Sequence, residues 1–600
     1  MLGGHRTRRP ASSRPPFVEL SIRFSRPKRT SAITTTTLRR ALTATLLVVP
    51  VAPVAPVVPI APVIHAQLPD PHTIPRGALR VAFDPSWLSY AELYDPAGTR
   101  LPLGTYYSAD TLGSGFFPTL TDAEAAVRAL TGDAAFRFNA GRFRARFDAD
   151  VRRFPFSFSV GLSSRLTLTA TVPLVTTRVK AAPSLDSTGS EAGWNPISGQ
   201  GSAGALDSLT TLLTELDAAA AQLEADIAAG GFDCPNGPTC DEARALVTRI
   251  RGLSADLGAL TGYGAVVGGS GPIPPLAPLA GSAAGQAIRA AIADVHAALV
   301  ALGQLGLTTT VPLPAVPIDS NAVDLILTGA EFGYGALPFD RGETIKLSGL
   351  GDVELGLRYG LLTGPTFRAV LDGRVRLPTG KKQDDPNDFL DIAPADGQLD
   401  VAVRLDGAFE PGSRLGVWFS GGYTRQFSDN LTRRVARLDA PIVPAAAVTE
   451  VRRQLADEVR VSLHPALRLT PSFRAFVSAS YYHKGPDTYE VNGAPVPELE
   501  ALTARTLWTI GGGLSYRMES NRRRASLPVE AGFHYAVAVY GSQGLVPKSG
   551  RMSLSLRFFY NLWGRAPEPE PEPQPAPEPE PPPPTPPGYD RLPAAGFRRP

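Results

Sequence analysis

The feature that most constrains this chain is an alternation of apolar and polar side chains along its C-terminal half. In one segment Val353, Leu355 and Leu357 alternate with Glu354 and Gly356. A spacing of two places the apolar side chains on one face of an extended strand. Segments of this kind recur at 154–162, 166–174, 353–361, 367–376, 399–405, 415–423, 459–468, 473–481, 508–516, 529–539 and 552–560. The sequence therefore predicts an all-β protein.

Alternation alone does not separate a membrane barrel from a soluble β-sandwich, which also has one apolar and one polar face. Two further features favour a membrane barrel. Charged residues repeat on the polar face, which suits a hydrated lumen, and aromatic residues lie near strand ends, where girdles meet lipid headgroups. Those aromatic residues are Tyr359, Tyr423, Tyr481, Trp508, Tyr516 and Tyr560.

We predict an antiparallel transmembrane β-barrel of about twelve strands, with fourteen as the next alternative, because bacterial single-chain barrels have even strand numbers. The twelfth strand is either 77–90 or 143–149. If it is 143–149, the segment Asp150 to Arg153 is a short link on the external side.

The polar face of the strands carries the candidate site residues. We expect opposed charges on neighbouring strands to line the lumen and set its electric field, with purely structural ion pairing as the alternative. The predicted lumen residues are Asp352, Glu354, Arg358, Arg368, Asp372, Arg374, Arg376, Asp400, Arg404 and Asp406.

The connections predict which end of the barrel faces outward. Short turns join paired strands, whereas long loops at 378–396, 428–456 and 484–502 alternate with them. Short turns are typical of the periplasmic end. The largest insertion, 178–345, falls on the external side and has helical spacing, as in Leu209, Leu213 and Leu216. We expect a helical bundle that caps, plugs or projects from the barrel; a solvated loop is the alternative.

The two cysteines, Cys234 and Cys240, lie between the first two helical stripes. A close pair in an exported chain favours a disulfide. A metal knuckle would need two further ligands, and no histidine or other cysteine is nearby. We predict the disulfide and no metal.

Both termini have biased sequences. Arg39 and Arg40 precede an apolar run, 41–64, and Ala66, which together resemble an export signal. A retained membrane anchor is the weaker reading, because five prolines interrupt the run. After Trp563 the chain is rich in Pro and Glu, which favours an extended polyproline segment. It either contacts the cell wall or a periplasmic protein, or is an inert spacer.

These observations divide the chain into five segments. They are an export signal and N-terminal extension (1–67), the first part of the barrel (68–177), the helical insertion (178–345), the main part of the barrel (346–563) and the Pro-rich tail (564–600).

Strand-and-turn motifs also resemble a known family. Gly349-Leu-Gly-Asp-Val-Glu-Leu-Gly-Leu-Arg-Tyr359, Leu377-Pro-Thr-Gly380, Gly397-Gln-Leu-Asp-Val-Ala-Val-Arg404 and Gly161-Leu-Ser-Ser-Arg-Leu-Thr-Leu-Thr-Ala-Thr-Val-Pro173 are similar to the outer-membrane transporter-like proteins named for the MetA pathway of phenol degradation. The resemblance covers mainly 150–180 and 345–560. It implies a barrel of twelve or so strands and passage of hydrophobic or aromatic small molecules. The helical insertion and the tail depart from that family's pattern.

Signatures of the common enzymes are missing from the sequence, which has no phosphate-binding G-x-x-x-x-G-K-[ST], no zinc-binding H-E-x-x-H and no G-x-S-x-G nucleophile elbow. His464 and His534 fall on the lumen register and could serve a barrel hydrolase as general base, but such residues more often line water. The acidic loop 384–391, with Asp396, has carboxylates for Ca²⁺ but not the spacing of an EF-hand; a solvated loop is the plainer reading. We expect no enzyme and no cofactor.

The leading functional hypothesis is a porin-like channel or transporter for small molecules in the bacterial outer membrane. The alternative is a structural or adhesin-type barrel that displays the insertion or links the membrane to the cell wall. The formal net charge is only +3, so nucleic acid is not an expected partner. Outer-membrane lipid and a small-molecule substrate are the expected partners.

Overall fold

The computed structural model describes residues 69–382, 385–412, 414–435, 441–518 and 529–563. The predicted export signal (1–67) and Pro-rich tail (564–600) lie outside the described residues. The described part forms one antiparallel barrel with helices and loops gathered at one end.

Twelve strands close the barrel, as predicted from the sequence. They are β1 (Ala78–Phe83 and Ser86–Tyr90), β2 (Arg142–Gly161), β3 (Leu166–Asp186), β4 (Ile345–Leu350 and Val353–Thr363), β5 (Phe367–Leu377), β6 (Asp400–Phe409), β7 (Leu415–Gln426), β8 (Glu458–Arg468), β9 (Phe473–Lys484), β10 (Arg505–Met518), β11 (Val529–Ser542) and β12 (Gly550–Asn561). Each strand pairs with the next, and β12 pairs with both parts of β1. Closure leaves no open sheet edge, which is what lipid requires.

The outer wall carries an apolar belt. Its side chains point away from the lumen and are exposed; they include Phe158, Leu168, Leu357, Leu371, Leu405, Val461, Leu463, Val477, Ile510, Leu514, Phe533 and Leu556. The residues that alternate with them along each strand face the inner wall and are mostly polar, and many of them are buried. A contiguous exposed apolar surface of this extent is compatible with lipid and not with water. The fold is therefore a transmembrane barrel.

The strands β2 and β3 are about twice as long as a membrane crossing needs. They contain 20 and 21 residues, whereas roughly 9 to 11 suffice for a tilted strand. Phe154 pairs with Leu174, and both side chains point to lipid. One pair further out, on the same outer face, Arg152 lies opposite Thr176. From that level outward the outer face is polar.

The inner face of the same two strands changes in the opposite sense. Above the belt, Phe147, Val151 and Val179 point inward and are buried. The predicted link at Asp150 to Arg153 is therefore wrong, because the strand continues through it without a break. At this level the apolar face of the strand changes from the outer to the inner side. Because 142–161 is one continuous strand, the twelfth strand is the segment that begins at Ala78.

The helices lie outside the membrane level. They are α1 (Thr121–Thr131), α2 (Ala205–Ala228), α3 (Pro238–Thr261), α4 (Tyr263–Val266), α5 (Ala283–Ala301), α6 (Ala322–Thr328) and α7 (Pro497–Glu500). The predicted disulfide is present between Cys234 and Cys240 and closes the α2–α3 turn. No helix in the described part of the chain is long and apolar enough to cross a membrane.

The cap is built from residues 91–141 and 187–344. Leu120 of the first segment and Leu213, Leu257 and Val295 of the second are buried in one hydrophobic core, with Phe143 of β2. The predicted helical bundle is therefore a packed structure and not a solvated loop. Sequence analysis missed its first part, because α1 is short and its only apolar residues larger than alanine are Val127 and Leu130.

Short strands complete the external end. One sheet contains Asp429–Arg434, Val448–Gln454, Thr488–Val491 and Ala494–Pro495; two smaller ones contain Glu92–Tyr94, Arg100–Pro102 and Val546–Pro547, and Ala192–Trp194 and Leu276–Pro278. All lie at the end of the barrel that carries the long loops; following the predicted orientation, we call this end external and the opposite end periplasmic. The opposite end has tight turns, such as 162–165 and 469–472.

Candidate functional site: the barrel lumen

The structure places all ten predicted charged residues on the inner wall, where they lie on β4, β5 and β6 or, for Asp352, between the two parts of β4. Neighbouring strands bring opposite charges together. Arg376 pairs with Asp400 at 2.7 Å, and Arg374 pairs with Glu354 at 3.2 Å. Most of these charges form one network on one side of the lumen, whereas Arg368 pairs with Glu410 instead.

Asp372 is the centre of this network and is fully buried. Its carboxylate lies 2.7 Å from Arg374, 3.2 Å from Arg404 and 3.7 Å from Arg358. Asp406 lies next to it and is 2.9 Å from Arg404. Such charge-assisted contacts fix the long arginine side chains, so this wall of the lumen is rigid and not a set of freely moving charges.

The first described residues, 69–77, fold back into the end of the barrel that carries the tight turns. We call this segment the N-terminal plug. The carboxylate of Asp70 pairs with Arg80 and lies 2.9 Å from Arg358, which joins the plug to the network. Ile74 is buried, and its N–H donates to Thr167 Oγ1 at 2.9 Å. The plug narrows the lumen at the periplasmic end.

A cavity of about 140 Å³ lies deeper in the lumen, on the far side from the plug. The charge network forms one part of its wall. The remainder consists of small polar and aromatic side chains of β7 to β11, among them Ser420, Ser462, His464, Ser478, Ser480, Tyr482, Leu507, Thr509 and His534.

His464 and His534 face each other at this cavity, with 6.3 Å between ring centroids and Phe476 packed against both. Each ring nitrogen Nε2 contacts a serine: His534 reaches Ser478 Oγ at 2.8 Å, and His464 reaches Ser462 Oγ at 3.1 Å. The two histidines thus face the lumen, as predicted. Among the residues that the structure describes, no carboxylate contacts either ring to orient it as a general base.

The cap covers the external end of the lumen. Phe339, which follows α6, is buried between Tyr107 of the first cap segment and Phe147 of β2, with ring centroids 5.6 and 5.8 Å away. The carboxylate of Asp324 accepts the backbone N–H groups of Phe339 and Asp340. Burial raises the pKa of the Asp324 carboxyl. The cap and the plug thus bound the cavity from its two ends.

The acidic loop does not gather its carboxylates. Asp388 pairs with Arg341 at 2.7 Å, while Asp385 accepts the N–H of Asn387 within its own turn. Asp384 lies outside the described residues. Among the residues that the structure describes, no group of three or more potential ligands could hold a metal ion.

Several lumen residues escaped the sequence analysis. Asp70 and Arg557 lie far from the network in sequence and join it only when the barrel closes. Arg153 and Arg551 also face inward, beside the closure strand β1. For Arg551 the signal was present, since it precedes the alternation of Met552 and Leu554 by one position.

Comparisons with known proteins find similarity among solved structures but not among sequences. No protein-family model matches the sequence, and no curated protein matches it. Among solved structures, a COG4313 outer membrane channel from Pseudomonas putida F1 is 9% identical, with 82% of this chain and 98% of that chain covered and a TM-score of 0.36. The P. putida toluene transporter TodX is 11% identical, with 82% and 92% covered and a TM-score of 0.25.

A Pseudomonas aeruginosa FadL homologue is 10% identical, with 81% of this chain and 90% of that chain covered and a TM-score of 0.23. The fold described above rests on the chain's own strand pairings. Membership of the MetA-pathway family stays a prediction.

Proposed function

We propose that this protein is a channel in the bacterial outer membrane for small hydrophobic or aromatic molecules. The observation that carries the proposal is the cavity within the lumen, bounded by the cap on one side and the plug on the other. A large open pore would favour unselective passage of hydrophilic solutes, whereas a bounded cavity favours one small molecule at a time.

The size of the cavity sets the size of the molecule. At about 140 Å³ it is close to the roughly 150 Å³ of an apolar cavity that binds benzene in another protein. Phe476, Tyr482 and Leu507 supply apolar and aromatic surface nearby, and the serines supply hydrogen-bonding groups. This mixture suits a single aromatic ring with one polar substituent.

The ten charged residues have a second role in the proposal. Nine of them, all except Asp352, are held in ion pairs, and together they keep one wall of the pathway open and set the field that ions meet in the lumen. The opposite wall then contacts the apolar face of a permeating aromatic ring.

The proposal is tested by filling the cavity. Ser478 is buried on the wall beside His534, so Ser478→Phe introduces a ring into the space. We expect it to reduce the influx of benzyl alcohol into liposomes at least fivefold relative to the unaltered chain. Leu463→Phe, on the lipid-facing side of β8, is the matched control and should leave influx unchanged. If the full chain admits benzyl alcohol no faster than protein-free liposomes do, the proposal is wrong.

A further inference from the structure

Arg551 is an inward-facing arginine of β12 without a counter-ion. Its side chain is only 7% exposed. It forms no ion pair and no hydrogen bond with any residue that the structure describes, unlike the arginines of the network on β4 to β6. Burying an unpaired charge costs free energy, and an anion bound beside this guanidinium would offset that cost.

Strand register shows what surrounds Arg551. Ser553 is the next inward residue of β12; it pairs with His534 on β11 and with Ser86 on β1. Ser86 in turn pairs with Arg153 on β2. Paired residues share one face of a sheet, so these four side chains form a row across the inner wall, one step below Arg551.

The row is rich in hydrogen-bond donors. Ser86 and Ser553 carry hydroxyl groups, Arg153 carries a guanidinium, and His534 already borders the cavity. The ionised groups that act most strongly on Arg551 are Arg153 and Arg460, both cations. Acidic groups lie further along: Glu354 faces Arg153, and Glu458 is 2.6 Å from Arg460. Neither of these carboxylates pairs with Arg551.

We propose that Arg551, with Ser86 and Ser553, binds the carboxylate of a small aromatic acid whose ring lies in the cavity beside His534. The inference rests on the proposed channel function and names the substrate class. A guanidinium accepts a carboxylate through two parallel N–H···O contacts, and a ligand anion supplies the charge that the wall lacks. The neighbouring histidine and the aromatic surface then hold the ring.

The inference is tested with benzoate and its neutral analogue benzyl alcohol. The full chain in liposomes should take up benzoate with saturation at high concentration and benzyl alcohol without it, because only benzoate meets the guanidinium. In Arg551→Met we expect the saturable benzoate uptake to fall at least tenfold and benzyl alcohol influx to stay within twofold. Arg551→Lys should restore part of the benzoate uptake, since it keeps the charge but not the paired contact.

The matched control is Arg517→Met. Arg517 is also an inward arginine, but it lies at the periplasmic end, is half exposed and pairs with Glu530. Removing it takes away one positive charge without touching the row around Arg551. If both variants lower benzoate uptake equally, the effect is one of general lumen charge and the site is refuted.

The outcomes separate the two proposals. If benzyl alcohol enters normally but Arg551→Met leaves benzoate uptake unchanged, the carboxylate site is wrong and the channel stands. If neither solute enters through the unaltered chain, the channel proposal itself fails. Should Arg551→Met not fold, non-saturable benzoate uptake by the unaltered chain, or equal competition by inorganic phosphate, would overturn the assignment to an aromatic acid.

Discussion

The guanidinium of Arg434 donates a hydrogen bond from Nη2 to the carbonyl oxygen of Tyr334, 2.8 Å away and one hundred residues earlier in the chain. The same side chain donates to the carbonyls of Pro386 and Val443. One buried arginine of an external hairpin thus joins the cap to two loops that follow different barrel strands.

Replacing Arg434 should therefore loosen the cap. Arg434→Met leaves these carbonyls without a donor, and hydrogen bonds to a charged group contribute about 1.5 to 3 kcal/mol. We expect faster hydrogen exchange at residues 334–339 and earlier proteolytic cleavage of the external loops. Arg452→Met is the control, because Arg452 lies on the neighbouring strand and is largely exposed. Equal exchange in both variants would contradict the role of Arg434.

The apolar belt predicts where charge is tolerated. Leu463→Arg places a cation on the lipid face near the middle of β8, which costs about 2 to 4 kcal/mol at the bilayer midplane. Ser348→Arg places the same charge on the outward face of β4, near the external limit of the belt, where the cost falls to roughly 0 to 1 kcal/mol. Urea unfolding in lipid vesicles measures both. A small cost at Leu463 would show that this face does not meet lipid.

The plug predicts a change in conductance. Asp70→Asn removes the carboxylate that holds Arg80 and Arg358, and breaking a buried ion pair costs about 3 to 5 kcal/mol. The plug should then leave the lumen part of the time, so we expect single-channel conductance in planar bilayers to rise several-fold. His72→Ala changes the same segment but leaves both arginine contacts, and its conductance should match that of the unaltered chain. Unchanged conductance in Asp70→Asn would mean that the plug does not limit the pathway.

The network predicts ion selectivity. Replacing Arg374 and Arg376 together with Ser leaves Asp372, Glu354 and Asp400 less balanced, so the lumen becomes more negative and the reversal potential should shift toward cation selectivity. Arg425→Ser is the control, because that side chain is exposed on the outer face of β7. An unmoved reversal potential in the double variant would assign these residues a purely structural role.

Tyr489 predicts a response to alkaline pH. It is buried in the four-stranded external sheet, where burial, assisted by the nearby Asp487, raises the pKa of its phenol to about 12. The folded state keeps a proton that the unfolded chain loses near pH 10, so this sheet should lose stability as the pH rises from about 10 to about 12. Tyr489→Phe should make this slope in thermal unfolding shallower, whereas Tyr560→Phe, at an exposed position, should leave it unchanged.

The barrel strands could be predicted from the sequence because lipid imposes a strict period of two on every crossing. The same rule gave a wrong prediction at Asp150 to Arg153. There the alternation continues, but the apolar residues change from the outer to the inner face of the strand. A reversal of polarity looks like a loop when only one environment is assumed. The structure shows two environments along one strand: lipid below Phe154 and the core of the cap above it.

The lumen could be predicted only in part. Residues such as Arg358 and Asp372 were found because adjacent hairpins bring them together. The contact between Asp70 and Arg358 joins residues 288 positions apart and depends on closure of the barrel, which no local pattern encodes. The isolation of Arg551 is likewise visible only once every neighbouring strand is in place.

The reversal at Phe154 and Leu174 also acts as a depth marker. Sliding the barrel outward would bring the two nonpolar side chains into water, and sliding it inward would drag Arg152 and Asp150 into hydrocarbon. Both displacements cost free energy, so these two adjacent strands fix the depth of the barrel in the bilayer. In a bilayer of unsuitable thickness, the lipids must stretch or thin around this wall, because the wall cannot shift to suit them.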